Sequence, residues 1–510
     1  MHRPVLRFVF LCAVASVVGV SCDWNQLAFL NSIPFRTPKT YNPAVHVVIA
    51  VDGLSPYAVE EAMRRGAFGS GQSGPMKLSQ VVTPFPGTSG YSWSRTLRSE
   101  RLEGYEIEFY SPELDRVENT GIIGLAKHVM PVIAEDLNFR EDYLTKAFDY
   151  FATGYSQQAK TYQETFSSFP NSMNSFFYLL EGRAQTSPLF FGYFAEIDVM
   201  GHMYSFEDIV RSLQLLSKKI DQFRANHHDR EYRFTLISDH GNDFLPVESS
   251  RLVSYQELMP AVGVTPVRTL AGLDPTRDVY AIAIEHVRVT YLAMHTHSTL
   301  REEVALRVSR IASTDFAVTR LLAAPAGAPA GSEWYGIYAD GVLVISFGFD
   351  SSTDTYWIPS TAQLTRAGIT PLDSSRFNAE GFASLTDEEA FEMTRLGVYP
   401  DLFYRVRTSL STTYSVYPAD VLVSLKREYV ESGFELPGGA NAIAVQGFHG
   451  SLDVLGSMGT LLSEDTGFPS VVRSDNLLEL LPDLKDHLKV NVGEGMIDPD
   501  ANASLDYSRF

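Results

Sequence analysis

Cysteine is nearly absent from this chain. Its 510 residues include two cysteines, Cys12 and Cys22, and both lie within the first 22 positions. The rest of the chain can form no disulfide framework. Any metal site in that part also has no thiolate ligands, so it would have to rest on aspartate and histidine.

Basic residues are few, and the chain is strongly acidic. It contains 41 Lys and Arg against 61 Asp and Glu, which gives a formal net charge of −20. This surplus opposes attraction to a phosphate backbone or to an anionic membrane surface, so we expect no nucleic-acid partner. With 45% hydrophobic and 20% charged residues, the composition is that of a folded globular protein and excludes collagen-like, disordered and coiled-coil classes.

A membrane-spanning apolar run is also missing. The run from Phe8 to Val20 is shorter than the ~20 residues that cross a bilayer. Basic side chains precede it, as in an export signal. Small residues then lead to Cys22, and this end resembles a bacterial lipoprotein signal, in which the cysteine carries lipid. We therefore expect export, either as a periplasmic or cell-envelope lipoprotein or as a secreted protein, with plain secretion left open.

Continuous apolar strands alternate with helical patterns in much of the chain. The β-branched run Val45–Val51 ends at Asp52 and precedes a helical pattern that starts at Pro56. Two further runs, Pro188–Ala195 and Arg233–Ser238, also end at acidic residues. Strands of this kind are typical of a mostly parallel sheet that helices cover on both faces. The predicted fold class is therefore α/β.

The pattern changes between residues 251 and 417, where we predict an inserted lobe of mixed structure. Val279–Leu292 alternates as exposed strands do, and the strand-like run Asp420–Leu425 predicts a return to the core near Pro418. The expected organisation is a signal peptide at 1–22, a linker at 23–43, a core at 44–250 and 418–492, the inserted lobe at 251–417 and a C-terminal tail at 493–510.

Acidic and histidine side chains follow the predicted core strands. Ligands of α/β sheets bind at the carboxyl ends of the strands, so these side chains should meet at one edge. Asp and neutral His are the usual oxygen and nitrogen ligands of zinc and related divalent metals. Each motif alone also fits a simple turn or a hydrogen-bonded loop, but their joint placement favours two sets of three ligands. The candidates are Asp52, Asp198, His202, Asp239, His240 and His449.

A nucleophile is expected near such metals. The turn-rich segment Thr83–Trp93 carries several hydroxyls and leads into a helical pattern. A hydroxyl at a helix N-terminus can lie beside backbone N–H groups that hold an oxyanion, and an adjacent metal lowers its pKa. An ordinary Ser or Thr helix cap is the alternative interpretation of this segment alone.

Five short motifs resemble the alkaline phosphatase superfamily, and within it the type I phosphodiesterase/nucleotide pyrophosphatase branch. In family order they are Val51–Leu54, Phe85–Ser89, Asp198–His202, Ser238–Gly241 and Phe448–Gly450. The resemblance implies an alkaline-phosphatase-like sandwich and two metals, usually zinc. One metal would be held by Asp198, His202 and His449, and the other by Asp52, Asp239 and His240. The nucleophile would be Ser89, with Thr88 as the alternative.

The chain departs from the family pattern after the nucleophile. The diesterase branch usually has an apolar residue, a proline and an asparagine that helps to hold the phosphate, whereas this chain has Gly90, Tyr91 and Ser92. Ser92 could donate a hydrogen bond to the phosphate. A sulfatase is disfavoured, because Tyr91 and Trp93 stand where that class needs proline and arginine.

The resemblance implies a metal-dependent phosphoric ester hydrolase that acts on a small phosphate ester through a covalent phosphoserine. Two alternatives stay open. One is a phosphomonoesterase or headgroup phosphotransferase of the same superfamily, and the other is a non-catalytic surface lipoprotein that binds a ligand. The sequence does not assign an oligomeric state.

Overall fold

The first apolar strand lies inside a mostly parallel sheet. The structure is a computed structural model that describes residues 44–69, 75–99, 101–106, 108–119, 147–151, 165–184, 187–228, 230–244, 251–286, 289–431 and 447–492. Strand β1, Ala44–Val51, pairs in parallel with Leu189–Phe194 and with Glu231–Ile237. All three are strands that the apolar runs predict.

The described residues form strands, α-helices and short 3-10 helices. In chain order, the strands are β1 Ala44–Val51, β2 Lys77–Val82, β3 Glu108–Ser111, β4 Arg116–Asn119, β5 Tyr150–Phe151, β6 Leu189–Phe194, β7 Glu231–Ile237, β8 Leu252–Val253, β9 Thr265–Pro266, β10 Tyr280–Ile284, β11 Tyr291–His295, β12 Thr314–Arg320, β13 Glu333–Ala339, β14 Val342–Asp350, β15 Thr355–Pro359, β16 Phe382–Thr386, β17 Val421–Leu425, β18 Val430–Glu431, β19 Met458–Ser463 and β20 Val471–Arg473. The α-helices are α1 Pro56–Arg64, α2 Ser89–Thr96, α3 Thr165–Arg183, α4 Glu196–Met203, α5 Phe206–Asn226, α6 Tyr255–Leu258, α7 Arg301–Val308, α8 Asp387–Thr394, α9 Leu402–Ser409, α10 Val454–Ser457, α11 Leu477–Leu480 and α12 Pro482–Val492. The 3-10 helices are Met259–Val262, Ser298–Leu300, Leu364–Ala367, Ser374–Arg376 and Ser474–Asn476.

Within the described residues, seven strands form the core sheet in the order β20-β2-β19-β7-β1-β6-β5. Strand β19 is antiparallel to both of its neighbours, and every other pairing in this sheet is parallel. The predicted α/β class and its mostly parallel sheet are confirmed.

Helices cover both faces of the core sheet. On β1, Val47 and Ile49 belong to a buried cluster with apolar side chains of α1, α3 and α5. Val48 and Ala50 point to the other face and belong to a cluster with α2, α11 and α12. Because successive strand residues face opposite sides, a continuous apolar run is what a sheet buried on both faces requires. Burial of each valine or isoleucine contributes roughly 1.5–3 kcal/mol.

A second sheet of nine described strands has the order β16-β15-β14-β13-β12-β17-β11-β10-β9 and is antiparallel except for the β9–β10 pair. Strand β17 pairs with β11 and β12 in this sheet, so the predicted return to the core near Pro418 is wrong. A five-residue apolar run predicts a strand, but it does not encode which sheet receives it.

Strands β10 and β11 differ from the exposed strands that the alternating pattern predicts. Every residue of both strands is buried. Helix α7 packs Val304, Ala305 and Val308 into the same apolar cluster as Leu292 and Met294 of β11. The alternation therefore reflects small and large side chains within a core rather than one face in water.

Four predicted segments lie outside the described residues. They are the signal peptide at 1–22, the linker at 23–43, the C-terminal tail at 493–510 and a strand before His449, which the apolar run at 442–446 predicts. None of the helices in the described part of the chain combines the length and the hydropathy needed to cross a membrane.

Helix α2 is fixed by a buried ion pair. Arg95 donates to the carboxylate of Asp475 and, at 2.9 Å, to Thr408 Oγ1. Its guanidinium also lies 4.0 Å from the ring centroid of Tyr414. Because both charged side chains are almost fully buried, removal of one partner would leave an uncompensated charge in the interior.

We predict that Arg95→Met lowers the free energy of unfolding by about 3–5 kcal/mol, because it leaves the buried carboxylate of Asp475 without its cationic partner. Urea denaturation followed by tryptophan fluorescence measures this change. The matched control is Arg64→Gln, which removes an exposed partner of Glu61 and should change stability by about 0.5 kcal/mol or less. Equal effects of the two substitutions would contradict this role of the ion pair in α2.

Candidate functional site

The register of the core sheet brings three acidic segments to one edge. Val51 is paired with Phe194, and Ala50 is paired with Ile237, so β1, β6 and β7 end level with one another. Asp52 follows β1 directly, and Asp239 lies two residues beyond the end of β7. Asp198 lies in the first turn of α4, and His202 lies one turn later on the same helix.

The structure brings the six predicted ligand residues into two groups of three. In each group, one ligand atom per residue lies within 4.8 Å of the others. His449 comes from a distant segment, and its ring stacks on that of His240 at a centroid distance of 3.8 Å. The groups are cluster A, with Asp198, His202 and His449, and cluster B, with Asp52, Asp239 and His240.

Backbone carbonyls orient all three histidine rings. A carbonyl oxygen can only accept a hydrogen bond, so each Nδ1 carries the hydrogen and each Nε2 is left with the lone pair when the ring is neutral. The Nε2 atoms of His202 and His240 each lie 3.3 Å from a carboxylate oxygen. Such second-sphere hydrogen bonds are typical of metal-ligating histidines. The acceptors are the carbonyl oxygens of three glycines: Gly447 at 2.9 Å from His202 Nδ1, Gly241 at 3.0 Å from His240 Nδ1, and Gly87 at 2.7 Å from His449 Nδ1.

Cluster B holds more buried negative charge than its neighbours can neutralise. Burial raises the pKa of Asp239 well above its ordinary value, and the nearby Asp52 raises it further. Asp239 Oδ2 is buried and accepts no hydrogen bond from the described residues. Burial alone would lower the pKa of His240, but Asp239 and Asp52 outweigh it and raise that pKa to about 10. A divalent cation would satisfy the oxygen without a partner and replace this proton, so the residues fit a metal.

Ser89 faces cluster B from the first position of α2. Its Oγ donates to Asp52 Oδ1 at 3.1 Å and lies 3.1 Å from His240 Nε2. The residue is partly exposed, whereas Asp52 and His240 are buried. A hydroxyl is therefore placed between the metal-type ligands and the open side of the site.

The other two candidate hydroxyls lie elsewhere. Thr88 is buried, and its Oγ1 donates to the carbonyl of Tyr105 at 2.8 Å, so it does not cap α2. Ser92 is wholly buried, and its Oγ has no hydrogen-bond partner among the described residues. Nothing in this arrangement supports the predicted contact between Ser92 and a phosphate.

Three residues of this site were missed by the sequence reasoning. Tyr193 donates from its hydroxyl to Asp52 Oδ2 at 2.5 Å, yet in the sequence it is one more apolar position of a strand. Arg405 of α9 donates to the carbonyls of Leu452 at 2.7 Å and Ser451 at 3.1 Å, and thus braces the segment after His449. The third is Asn242, whose position directly after Asp239-His240-Gly241 was the available signal.

Residues 91–323 match the family model described as type I phosphodiesterase / nucleotide pyrophosphatase. This match confirms the resemblance that the motifs indicate and supports a phosphoric ester hydrolase. Four of the six cluster residues lie inside the matched range. The other two, Asp52 and His449, lie outside it, as does Ser89. Comparison with curated protein sequences finds no match.

Similar solved structures include the murine and the human ectonucleotide pyrophosphatase / phosphodiesterase 5. Each is 12% identical and matches over 87% of this chain and 95% of its own, with a TM-score of 0.41. An inactive variant of the murine protein in complex with AMP is 13% identical over the same shares, with a TM-score of 0.39. Because these scores are low, the fold is assigned from the observed sheet order, and the site is assigned from its own geometry.

We predict that the chelator-treated protein loses thermal stability as the pH rises from about 6.5 to about 10. In this window the folded state keeps the proton of His240 while the unfolded state releases it, so proton binding favours the folded state less at higher pH. Melting temperatures across this pH range measure the effect.

The substitution His240→Asn should remove most of this slope. His227→Gln is the control, since His227 lies outside both clusters, with its Nδ1 2.9 Å from the carbonyl oxygen of Phe223. A slope that persists unchanged in His240→Asn would show that His240 is not the group that stores the proton.

Proposed function

We propose that this chain is a metal-dependent phosphoric ester hydrolase of the phosphodiesterase/nucleotide pyrophosphatase type, in which Ser89 forms a covalent phosphoserine. One observation carries the proposal: Ser89 Oγ lies 3.1 Å from both Asp52 Oδ1 and His240 Nε2, two members of one cluster. The family match supports the reaction class. The chemistry of the six ligands supports the metal requirement.

Each cluster would hold one divalent cation, zinc by preference. Three protein ligands per ion leave a position open for substrate, as catalytic sites require. When bound, the two cations would lower the pKa of the serine hydroxyl and neutralise charge on the phosphoryl oxygens. The carbonyls that hold the histidine Nδ1 atoms leave each Nε2 available as the atom that would bind a cation.

Ser89 supplies the nucleophile in this scheme. Its ionised Oγ attacks phosphorus, and the P–Oγ bond forms as the bond to the leaving oxygen breaks; the departing alkoxide takes a proton from water. A water molecule then attacks phosphorus, the P–Oγ bond breaks, and serine is restored. The first turn of α2 contributes its positive dipole end, and Thr88 adds no side-chain cap there. Burial of Asp52, Asp239 and His240 limits water behind the nucleophile and strengthens these interactions.

A small phosphate ester outside the cytoplasm is the proposed substrate. The net charge of −20 disfavours long phosphate polymers. The family match favours a diester or a nucleotide over a monoester. Export, and a lipid on Cys22, stay predictions from the first 22 residues.

We predict that Ser89→Ala lowers kcat/KM for a generic aryl phosphate diester by at least about 10³-fold, because the nucleophile is lost. Its metal content should equal that of the wild type, because Ser89 belongs to neither ligand set. Rates with the diester and with the corresponding aryl monoester, measured with and without chelator, give the readout.

Ser99→Ala is the matched control, since Ser99 is buried just beyond α2 and bonds to the carbonyl of Ser94 at 3.3 Å. Full activity in Ser89→Ala with loss in Thr88→Val would move the nucleophile to Thr88. Faster hydrolysis of the monoester would favour a phosphomonoesterase, and wild-type protein without bound metal or activity would favour a binding module.

A further inference from the structure

A single buried amide, that of Asn242, belongs to one ligand segment and contacts two others. Asn242 follows two ligands of cluster B, Asp239 and His240, and its side chain points back between the clusters. Its Nδ2 donates to Asp198 Oδ1 at 3.0 Å and to the carbonyl of Gly53 at 3.2 Å. Asp198 is a ligand of cluster A, and Gly53 follows Asp52 of cluster B. Asn242 thereby connects the two clusters through one NH2 group.

The hydrogen bonds fix which way this amide points. A carbonyl and a carboxylate both accept hydrogen bonds, so the atom that faces them must be the NH2 group. The opposite atom, Oδ1, is buried and has no hydrogen-bond partner among the described residues. This orientation therefore leaves one buried acceptor without a hydrogen bond, which is unfavourable. Both hydrogens of the NH2 group are donated to the segments that carry the metal-type ligands.

Two glycines make room for this side chain. A Cβ at Gly201, directly before His202, would lie 2.6 Å from Asn242 Nδ2. A Cβ at Gly53 would lie 2.7 Å from the same atom, and Gly53 also has a φ of +64°. The backbone on both sides thus approaches the amide more closely than any side chain would permit. The next residue, Asp243, pairs with Phe448 in the segment that carries His449.

We infer that Asn242 is a positioning residue that presents Asp198 to the cation of cluster A and ties it to the segment of cluster B. The inference rests on the proposed function only in requiring that the clusters bind metal. Asp198 Oδ2 lies 3.3 Å from His202 Nε2, so a hydrogen bond to Oδ1 leaves the other oxygen toward the histidine. Loss of such a partner typically costs 10–100-fold in metal affinity or activity.

The test is a zinc titration against a competing chromogenic chelator, with the full chain. Asn242→Leu keeps the shape of the side chain and removes the donor. We expect one zinc equivalent to weaken by about 10–100-fold, while the other keeps a nearly wild-type affinity. Gly201→Ala should give the same shift, and the double variant Gly201→Ala/Asn242→Leu should add little to it, because both changes break the same contact.

The control is Asn476→Leu, a buried asparagine whose Nδ2 has no partner in the described structure and which lies in neither cluster. Unchanged binding of both equivalents in Asn242→Leu would overturn the inference. Equal weakening of both equivalents, together with a lower melting temperature of the metal-free variant, would also overturn it, since it would indicate general loss of structure. Wild-type protein that binds no zinc would instead refute the proposed function.

Discussion

Three buried carboxylates meet three imidazoles at one edge of the core sheet, and the described residues place no lysine or arginine against those carboxylates. Concentrated negative charge in the interior is unfavourable unless protons or cations compensate it. In the chain alone, protons do so, as the raised pKa values of Asp239 and His240 indicate. Metal binding exchanges those protons for divalent charge, so ligand geometry, nucleophile placement and pH response all follow from this one electrostatic constraint.

The core sheet places part of the ligand set, and residues beside the second sheet restrain another part. The core supplies the level strand ends that place Asp52 and Asp239. His449 is restrained from the second sheet, where Thr290 directly precedes β11. Thr290 donates from both its backbone nitrogen and its hydroxyl to the His449 carbonyl. Arg405 holds the carbonyls just beyond it. The residue before β11 and helix α9 therefore brace the segment that carries His449 of cluster A.

Three of the seven described core strands, β1, β6 and β7, could be predicted because each is a continuous apolar run that ends near an acidic residue, as at Val45–Val51. Asp52, Asp198 and Asp239 could be assigned to one edge because parallel strands end together. Sheet membership of Val421–Leu425 could not be predicted, since its partners are distant strands. Tyr193 and Asn242, which bond to ligand carboxylates, and Arg405, which bonds to the backbone after His449, were missed because such hydrogen bonds follow no spacing rule along the sequence. The resemblance already places Ser89 before Thr88, and the Tyr105 carbonyl, which accepts from the threonine hydroxyl, agrees with that order.

The central claim is that the two clusters are a pair of cation sites served by one serine. Anomalous scattering at the zinc edge, from crystals of the full chain grown with zinc, tests it most directly. We predict two peaks per chain, one within about 2.0–2.2 Å of the Asp198, His202 and His449 ligand atoms and one equally close to those of Asp52, Asp239 and His240. A map with no peak at either cluster, or with zinc held only elsewhere on the surface, would contradict it.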